Sequence, residues 1–286
     1  MNPKYPIYII SKGRWDSNYT ARTLEYMGVP YTLVVEPQEY VKYAQAINSK
    51  KILVTPFSNL GQGSIPVRNF VWEHALKLGV KRYWVMDDNI KLFYRYNHNK
   101  KVPVNSGTIL KCAEDFVDRY QNIGLAGLQY DYFIAAKGRY NPIILNTRIY
   151  SCILIDTSLK LRWRGKYNED TDLSIRVLQS GLCTVLFMSF LCGKVPTLNM
   201  KGGNTSTIYN TGDERKEFAE SLKKQHPDIV EVIRKYNRWH HKVDYSGFKN
   251  NQLVPVKGFK PPNGQNEYGM KLITFKENQT IFKDEK

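Results

Sequence analysis

Apolar and polar positions in the first part of the chain switch between a short period and a helical one. "YPIYIISKGR" is apolar and β-rich and breaks at Lys12-Gly13, which predicts a first strand. "SNYTARTLEYMGV" carries Leu24 and Met27 at helical spacing and stops near Gly28. "PYTLVVEP" predicts a second strand, "EYVKYAQAI" a helix and "KKILVTP" a third strand. A polar loop, "FSNLGQGSIP", leads into "VRNFVWEHALKLGV". There Val67, Phe70, Val71, Ala75 and Leu78 share one helical face. "RYWVM" predicts the fourth strand. Strands alternating with helices predict a parallel sheet with helices on both faces.

The second half is less regular. "TILKCAEDFVDRYQNI" predicts a helix, and "GLAGLQYDYF" and "RIYSCILIDTSL" predict strands. "RWRGKYNEDTDLSIRVLQSGL" enters a helix at its acidic cluster and stops at Gly181, and "CTVLFMSFLC" predicts a buried strand. "DERKEFAESLKKQHPDIVEVIRKYNRW" reads as two helices broken before Pro227. After Asp244 the Gly, Pro and Asn content rises, which predicts loops and an irregular tail; "KGFKPPNG" reads as a linker or an ordered loop. Trp72 and Trp84 read as core, His74 as a helix-face residue, His98 as a loop residue and His226 as a surface residue at a helix end.

Composition narrows the class. The 286 residues suffice for one large α/β domain or two modest ones. The longest apolar run, "CTVLFMSFLC", is ten residues, far below a membrane span. The N-terminus reads as a first strand, not a signal peptide. Cys112, Cys152, Cys183 and Cys192 form no CxxC pair, which argues against a zinc knuckle or disulfide scaffold and for a reducing cytoplasm. Forty-two Lys and Arg against 26 Asp and Glu give a net charge of +16, which calls for an anionic partner. From Lys216 to Lys286, basic residues interleave with Tyr, Trp, His and Phe, a mix suited to a polyanion.

Two acidic clusters carry the candidate chemistry. Asp87 and Asp88 stand side by side at a strand end, where like charges repel. One reading is an Asp-rich turn, with Asn89 following. The other is a divalent cation, with the carboxylates as hard oxygen ligands and bound phosphates supplying the rest. Ligands of parallel sheets bind at the carboxyl ends of strands, which favours the cation. Glu169, Asp170 and Asp172 fall at a predicted helix start. Capping explains one or two acidic residues there, at ~0.3–1 kcal/mol each; three exceed what a cap needs. Arg176, four residues after Asp172, is placed to pair with it. "KGGNTST" reads as a surface turn or a phosphate-binding loop, and Trp239 as a packing or base-stacking residue.

A strand ending in "MDDN" and, roughly eighty residues on, "YNEDTDLSIRVLQSG" resemble nucleotide-sugar glycosyltransferases of the A-type fold. More narrowly, "YIISKGR", "YTLVVEPQEY", "GSIPVRNFVWEHA", "WVMDDN", "NEDTDLSIR" and "RWHHKVDY" resemble the phage-encoded TET-associated glycosyltransferases, over roughly residues 5 to 245. The resemblance implies an α/β A-type fold with a Rossmann-like mixed sheet. It implies a catalytic domain over 1–210 and a basic, helical or irregular extension over 211–286 packed on it. The implied reaction moves a sugar from a nucleotide-sugar, UDP-glucose or a related UDP-sugar, to 5-hydroxymethylcytosine in phage DNA, in the host cytoplasm. A glycan, protein or polysaccharide acceptor is the alternative.

By position, the resemblance assigns Asp88 with Asp87 to Mn2+ or Mg2+; the family's Asp-x-Asp ends here in Asn89. It assigns Asp170 as the base of an inverting transfer, with Glu169 beside it. Ser11, Lys12, Arg14, Arg68 and Asn69 fall near the nucleotide and its phosphates. His240 or His241 matches a terminal metal-binding His. Arg234, Lys235, Arg238 and Trp239 form the expected DNA-tracking segment, with Arg234 and Arg238 on one helical face. The residue types suit the chemistry. A diphosphate leaving group needs cationic neutralisation, and an acceptor hydroxyl needs a carboxylate to take its proton.

Overall fold

The computed structural model describes residues 1–135, 138–165, 167–195, 202 and 214–259. Four strands, β1 (Ile7–Ile10), β2 (Thr32–Val35), β3 (Ile52–Val54) and β4 (Arg82–Asp87), pair in parallel in the order β3-β2-β1-β4. Helices α1 (Tyr19–Tyr26), α2 (Tyr40–Ala46) and α3 (Ile65–Lys77) connect them. β1, β2 and β4 are buried on both faces, as inner parallel strands under helices must be, and β3 is the more exposed edge. Ile7 and Ile9 point into a core with Leu24, Tyr43 and Trp84; Tyr8 and Ile10 point into another with Val71, Trp72 and Val85. Trp72 and Trp84 are fully buried, as expected.

Beyond β4 the sheet is mixed, not purely parallel. β9 (Cys152–Asp156) runs antiparallel between β4 and β7 (Ile123–Tyr130), and β10 (Cys183–Lys194) lies parallel to β7. β5 (Ile90–Asn97), β6 (Lys100–Pro103) and β8 (Ile143–Leu145) complete a sheet of ten strands among the described residues. α4 (Thr108–Val117) leads into β7 and α5 (Glu169–Gln179) into β10. The architecture is a mixed α/β sheet with helices packed on it, in line with the α/β class expected from the sequence. Strands β1, β4, β7 and β10 share a direction, so their carboxyl ends open on one side, carrying Ser11, Asp87, Tyr130 and Lys194. The β10 register shifts at Gly193/Lys194, a bulge that re-aims the last side chain of the strand.

The C-terminal part departs from the sequence reading. α6 (Glu214–Gln225) is helical as expected, but the second predicted helix is an antiparallel hairpin, β11 (Val230–Lys235) and β12 (Arg238–Val243). The turn residues Tyr236 and Asn237 both have positive φ, 52° and 56°, matching a two-residue turn that suits the strand twist. Lys235 pairs with Arg238 and Arg234 with Trp239, so Arg234 and Arg238 lie on opposite faces. His226 is also corrected. It is buried, and its Nε2 lies 2.8 Å from Oδ1 of Asp172. Arg176 and Arg164 hold the same carboxylate, and Leu222 and Val230 pack with Ile175, which anchors α6 and the hairpin on α5. Of "KGGNTST" only Gly202 is described, and the tail beyond residue 259, including the end of "KGFKPPNG", lies outside the described residues.

Candidate active site

Asp87 ends β4 and Asp88 opens the turn after it, and their carboxylates go to different cationic partners, which offsets the repulsion their adjacency raised. Asp88 Oδ2 accepts from Ser11 Oγ at 2.6 Å and its Oδ1 pairs with Arg14. Asp87 Oδ2 accepts from Lys194 Nζ and Ser151 Oγ, each at 2.7 Å, and Oδ1 from Arg68 at 3.2 Å. Burial pushes both carboxyls upward. For Asp87 the charges of Lys194 and Arg68 outweigh it and hold the group well below the usual range. For Asp88 burial prevails over Arg14 and the carboxyl is raised.

The first turns of α3 and α5 meet above this pair. Arg68 is buried and stacks on Trp163 at 4.6 Å. Its Nε donates to Ser64 Oγ and faces Glu169 at 3.5 Å, while its Nη1 has no protein partner. A guanidinium with one buried N–H group to spare on a cavity wall suits an anionic oxygen. Ser64 Oγ also donates to Glu169 at 2.6 Å, so Glu169 is held in place. The Asp170 carboxylate accepts a hydrogen bond from the Thr171 amide at 2.8 Å, and no side chain among the described residues is seen to donate to it. Burial, then the charge of Glu169, push its carboxyl up to about 6, against the opposing pull of Arg68 and Arg148. That places a proton acceptor close to neutral pH, where a general base works best.

These groups line one cavity of about 540 Å3 at the strand ends, a size suited to a ligand. Lys12, Arg14, Arg68, Arg148, Lys194 and Arg215 supply positive charge to its wall. Ile10, Val34 and Glu36 also line it, beside Lys12, whose ammonium pairs with Glu36 at 2.8 Å. Tyr130, Tyr132, Phe133 and Tyr150 form another wall.

The structure gathers most residues singled out in the sequence. Ser11, Lys12, Arg14, Arg68, Asp87, Asp88, Glu169, Asp170 and His241 all line the cavity. Asn69 does not: its amide brackets the Trp163 backbone, donating to the carbonyl and accepting from the N–H, each at 3.0 Å. Arg234, Lys235 and Arg238 are exposed on the hairpin, and Trp239 lies beneath Lys216 at 5.4 Å. Asp172 serves the α5–α6 junction. Lys194, Arg148, Ser151 and the aromatic wall went unnoticed in the sequence. Lys194 had one available signal, its place at the carboxyl end of the last buried strand.

Among the described residues, no three His, Cys, Asp or Glu side chains gather closely enough to form a ready-made metal cage. The donor types present nevertheless suit a hard divalent cation. Asp87 and Asp88 offer oxygens. His241 lines the same cavity, its Nε2 is buried without a partner, and burial, then Arg148, push its imidazole down to about 4, so it is neutral. Strand alternation turns His240 the other way, and it does not line the cavity.

The family model described as TET-Associated Glycosyltransferase matches residues 5–203. No curated protein matches the chain. Among solved structures, one provisionally assigned as a nucleotide-diphospho-sugar transferase from Desulfovibrio desulfuricans G20 is similar at a TM-score of 0.39 and 10% identity, covering 65% of this chain and 80% of that one. That likeness is too distant to bear on function.

Proposed function

The chain belongs to the TET-associated glycosyltransferase family, and from that premise we propose that it transfers a sugar from a nucleotide-sugar to the hydroxyl of 5-hydroxymethylcytosine in DNA. It is a glycosyltransferase; the donor, acceptor and residue roles are our reading. The observation that carries it is Asp170, a carboxyl poised near neutrality in a cavity lined by six cationic side chains.

In this reading the nucleotide lies between Val34, Glu36 and the Ser11–Arg14 turn. Its diphosphate meets Arg14, Arg68 and Lys194, whose fixed charges offset the negative charge that builds on the leaving oxygen. Asp88, Asp87 and His241 would hold a divalent cation, Mn2+ or Mg2+, which when bound shares that neutralisation. Asp170 takes the proton of the acceptor hydroxyl as its oxygen bonds to the anomeric carbon. The bond from that carbon to the diphosphate breaks, and the nucleoside diphosphate departs with the electron pair. Displacement from the opposite face inverts the anomeric centre. Glu169, held by Ser64 and Arg68, keeps Asp170 basic through its charge.

The +16 charge and the exposed Arg234, Lys235 and Arg238 support a polyanionic acceptor over a neutral glycan. The 211–286 extension, carrying the hairpin, serves in this reading to hold DNA beside the cavity. A competition among hydroxymethylated DNA, unmodified DNA and a neutral glycan tests it. Label from the sugar donor is expected on the hydroxymethylated DNA alone; label on the glycan instead would overturn the acceptor assignment.

A further inference from the structure

The chemistry above leaves the aromatic wall of the cavity without a role. Tyr130 ends β7, Tyr132 and Phe133 follow in the 3-10 turn Asp131–Phe133, and Tyr150 precedes β9. Their rings form one contact group, with centroids 5.1 Å apart for Tyr130–Tyr132, 4.6 Å for Tyr132–Phe133 and 4.4 Å for Tyr130–Tyr150. Tyr130 and Tyr150 are buried beneath, whereas Tyr132 and Phe133 are each 49% exposed. Two neighbouring half-exposed rings on a concave surface leave apolar area uncovered, which marks a place for a flat apolar partner. Arg148 stacks on Tyr150 at 4.9 Å and reaches the same cavity as Asp170.

We infer that Tyr132 and Phe133 are the stacking platform for the acceptor base, received after it has swung out of the DNA helix. The inference rests on the DNA reading proposed above. The proton acceptor lies on the wall of a cavity of about 540 Å3, which admits a single base but not a duplex. Enzymes that act on a base in such a pocket take it out of the stack and hold it between aromatic and apolar side chains. Aromatic stacking is tolerant of base identity, so the platform supplies affinity while Asp170 selects a base bearing a reachable hydroxyl. Burial pushes the Tyr132 phenol up to about 12, so the ring stays neutral through the working range. A sugar ring also stacks on aromatic side chains. The basic hairpin and the net charge favour the nucleobase.

The test uses the full chain, a sugar-nucleotide donor and a hydroxymethylated duplex with 2-aminopurine next to the target base. Tyr132→Ala and Phe133→Ala should each raise the acceptor KM by about tenfold, the loss of one stacked ring. The donor KM should stay within about twofold. Tyr132→Phe, which keeps the ring, should behave as the parent. Binding of the parent should brighten 2-aminopurine as the neighbouring base leaves the stack, and the double alanine variant should not. Mispairing the target base should tighten binding, because part of the unstacking cost is then already met. If the double variant keeps the parental acceptor KM and fluorescence change on DNA that the parent modifies, the platform is elsewhere and only this inference falls. If the parent modifies a glycan and no DNA, the acceptor reading falls and this inference with it.

Discussion

The ammonium of Lys194 lies 2.7 Å from Oδ2 of Asp87, at the carboxyl ends of two strands separated in the sheet by β9 and β7. The β10 bulge puts it there, and Asp87 with Asp170 stabilises the charged form of Lys194 against its burial. One fixed cation therefore serves two acidic groups and, in the proposed reading, the donor diphosphate as well. Lys194→Met leaves Asp87 with Arg68 and Ser151 alone. Losing one partner of such a buried pair is expected to lower stability by ~3–5 kcal/mol. Donor affinity should drop at least about tenfold, since a charge-assisted contact to phosphate is lost. Thermal melts and calorimetry with the nucleoside diphosphate measure the two effects; an unchanged nucleotide affinity would remove Lys194 from the donor site.

The transfer rate should rise with pH through about 6, where Asp170 loses its proton. Glu169 raises that value by its charge, so Glu169→Gln should move the acid limb of the profile to lower pH. Asp170→Asn should keep donor binding and lower the rate by ~10²–10⁴. An acid limb that stays in place in Glu169→Gln would assign the titration to another group.

Asp172 offers a test outside the cavity. Burial pushes its carboxyl up, but hydrogen bonds from His226, Arg164 and Arg176 outweigh this and hold it down at about 2. A depressed carboxyl contributes stability that is present above its unfolded value, near 4, and is lost as pH falls towards about 2. Asp172→Asn removes that contribution and leaves cations without their partner, a cost of ~3–5 kcal/mol. Acid and thermal unfolding should show the parent losing its advantage over the variant within that window. Equal stability at neutral pH would mean that the Asp172–His226 contact does not anchor α6.

The hairpin divides its basic residues between two faces. Lys235 and Arg238 pair on one face and Arg234 stands opposite Trp239 on the other. Affinity for DNA should fall with salt by ~0.9 log units per log unit for each phosphate contact. Lys235→Ala with Arg238→Ala should reduce that slope by about two and weaken all sequences alike. Arg234→Ala, on the other face, should change it separately. A salt titration with identical slopes for parent and variants would place DNA elsewhere on the surface.

The strands and helices before Asp87 were legible because residues such as Ile7–Ile10 and Val34 are buried on both faces, and burial leaves continuous apolar runs. The hairpins were not. His98-Asn99 and Tyr236-Asn237 adopt positive φ without glycine, so neither turn announced itself. In "DIVEVIRKYNRW", Val230, Ile233 and Tyr236 also satisfy a helical spacing. The acidic clusters were visible as clusters; their partners were not. Lys194 meets Asp87 across two intervening strands, at a register shift in β10, and His226 meets Asp172 where α6 packs on α5. Tyr132 and Phe133 read as the end of a strand, whereas they sit in the turn beyond it.

The most direct measurement is mass spectrometry of nucleosides from hydroxymethylated DNA incubated with the protein and a mixture of sugar nucleotides. The parent should convert 5-hydroxymethylcytosine to a product heavier by one sugar residue, and Asp170→Asn should reduce that conversion ~10²–10⁴-fold. Folded, nucleotide-binding protein that leaves every 5-hydroxymethylcytosine unchanged with all donors would contradict the account.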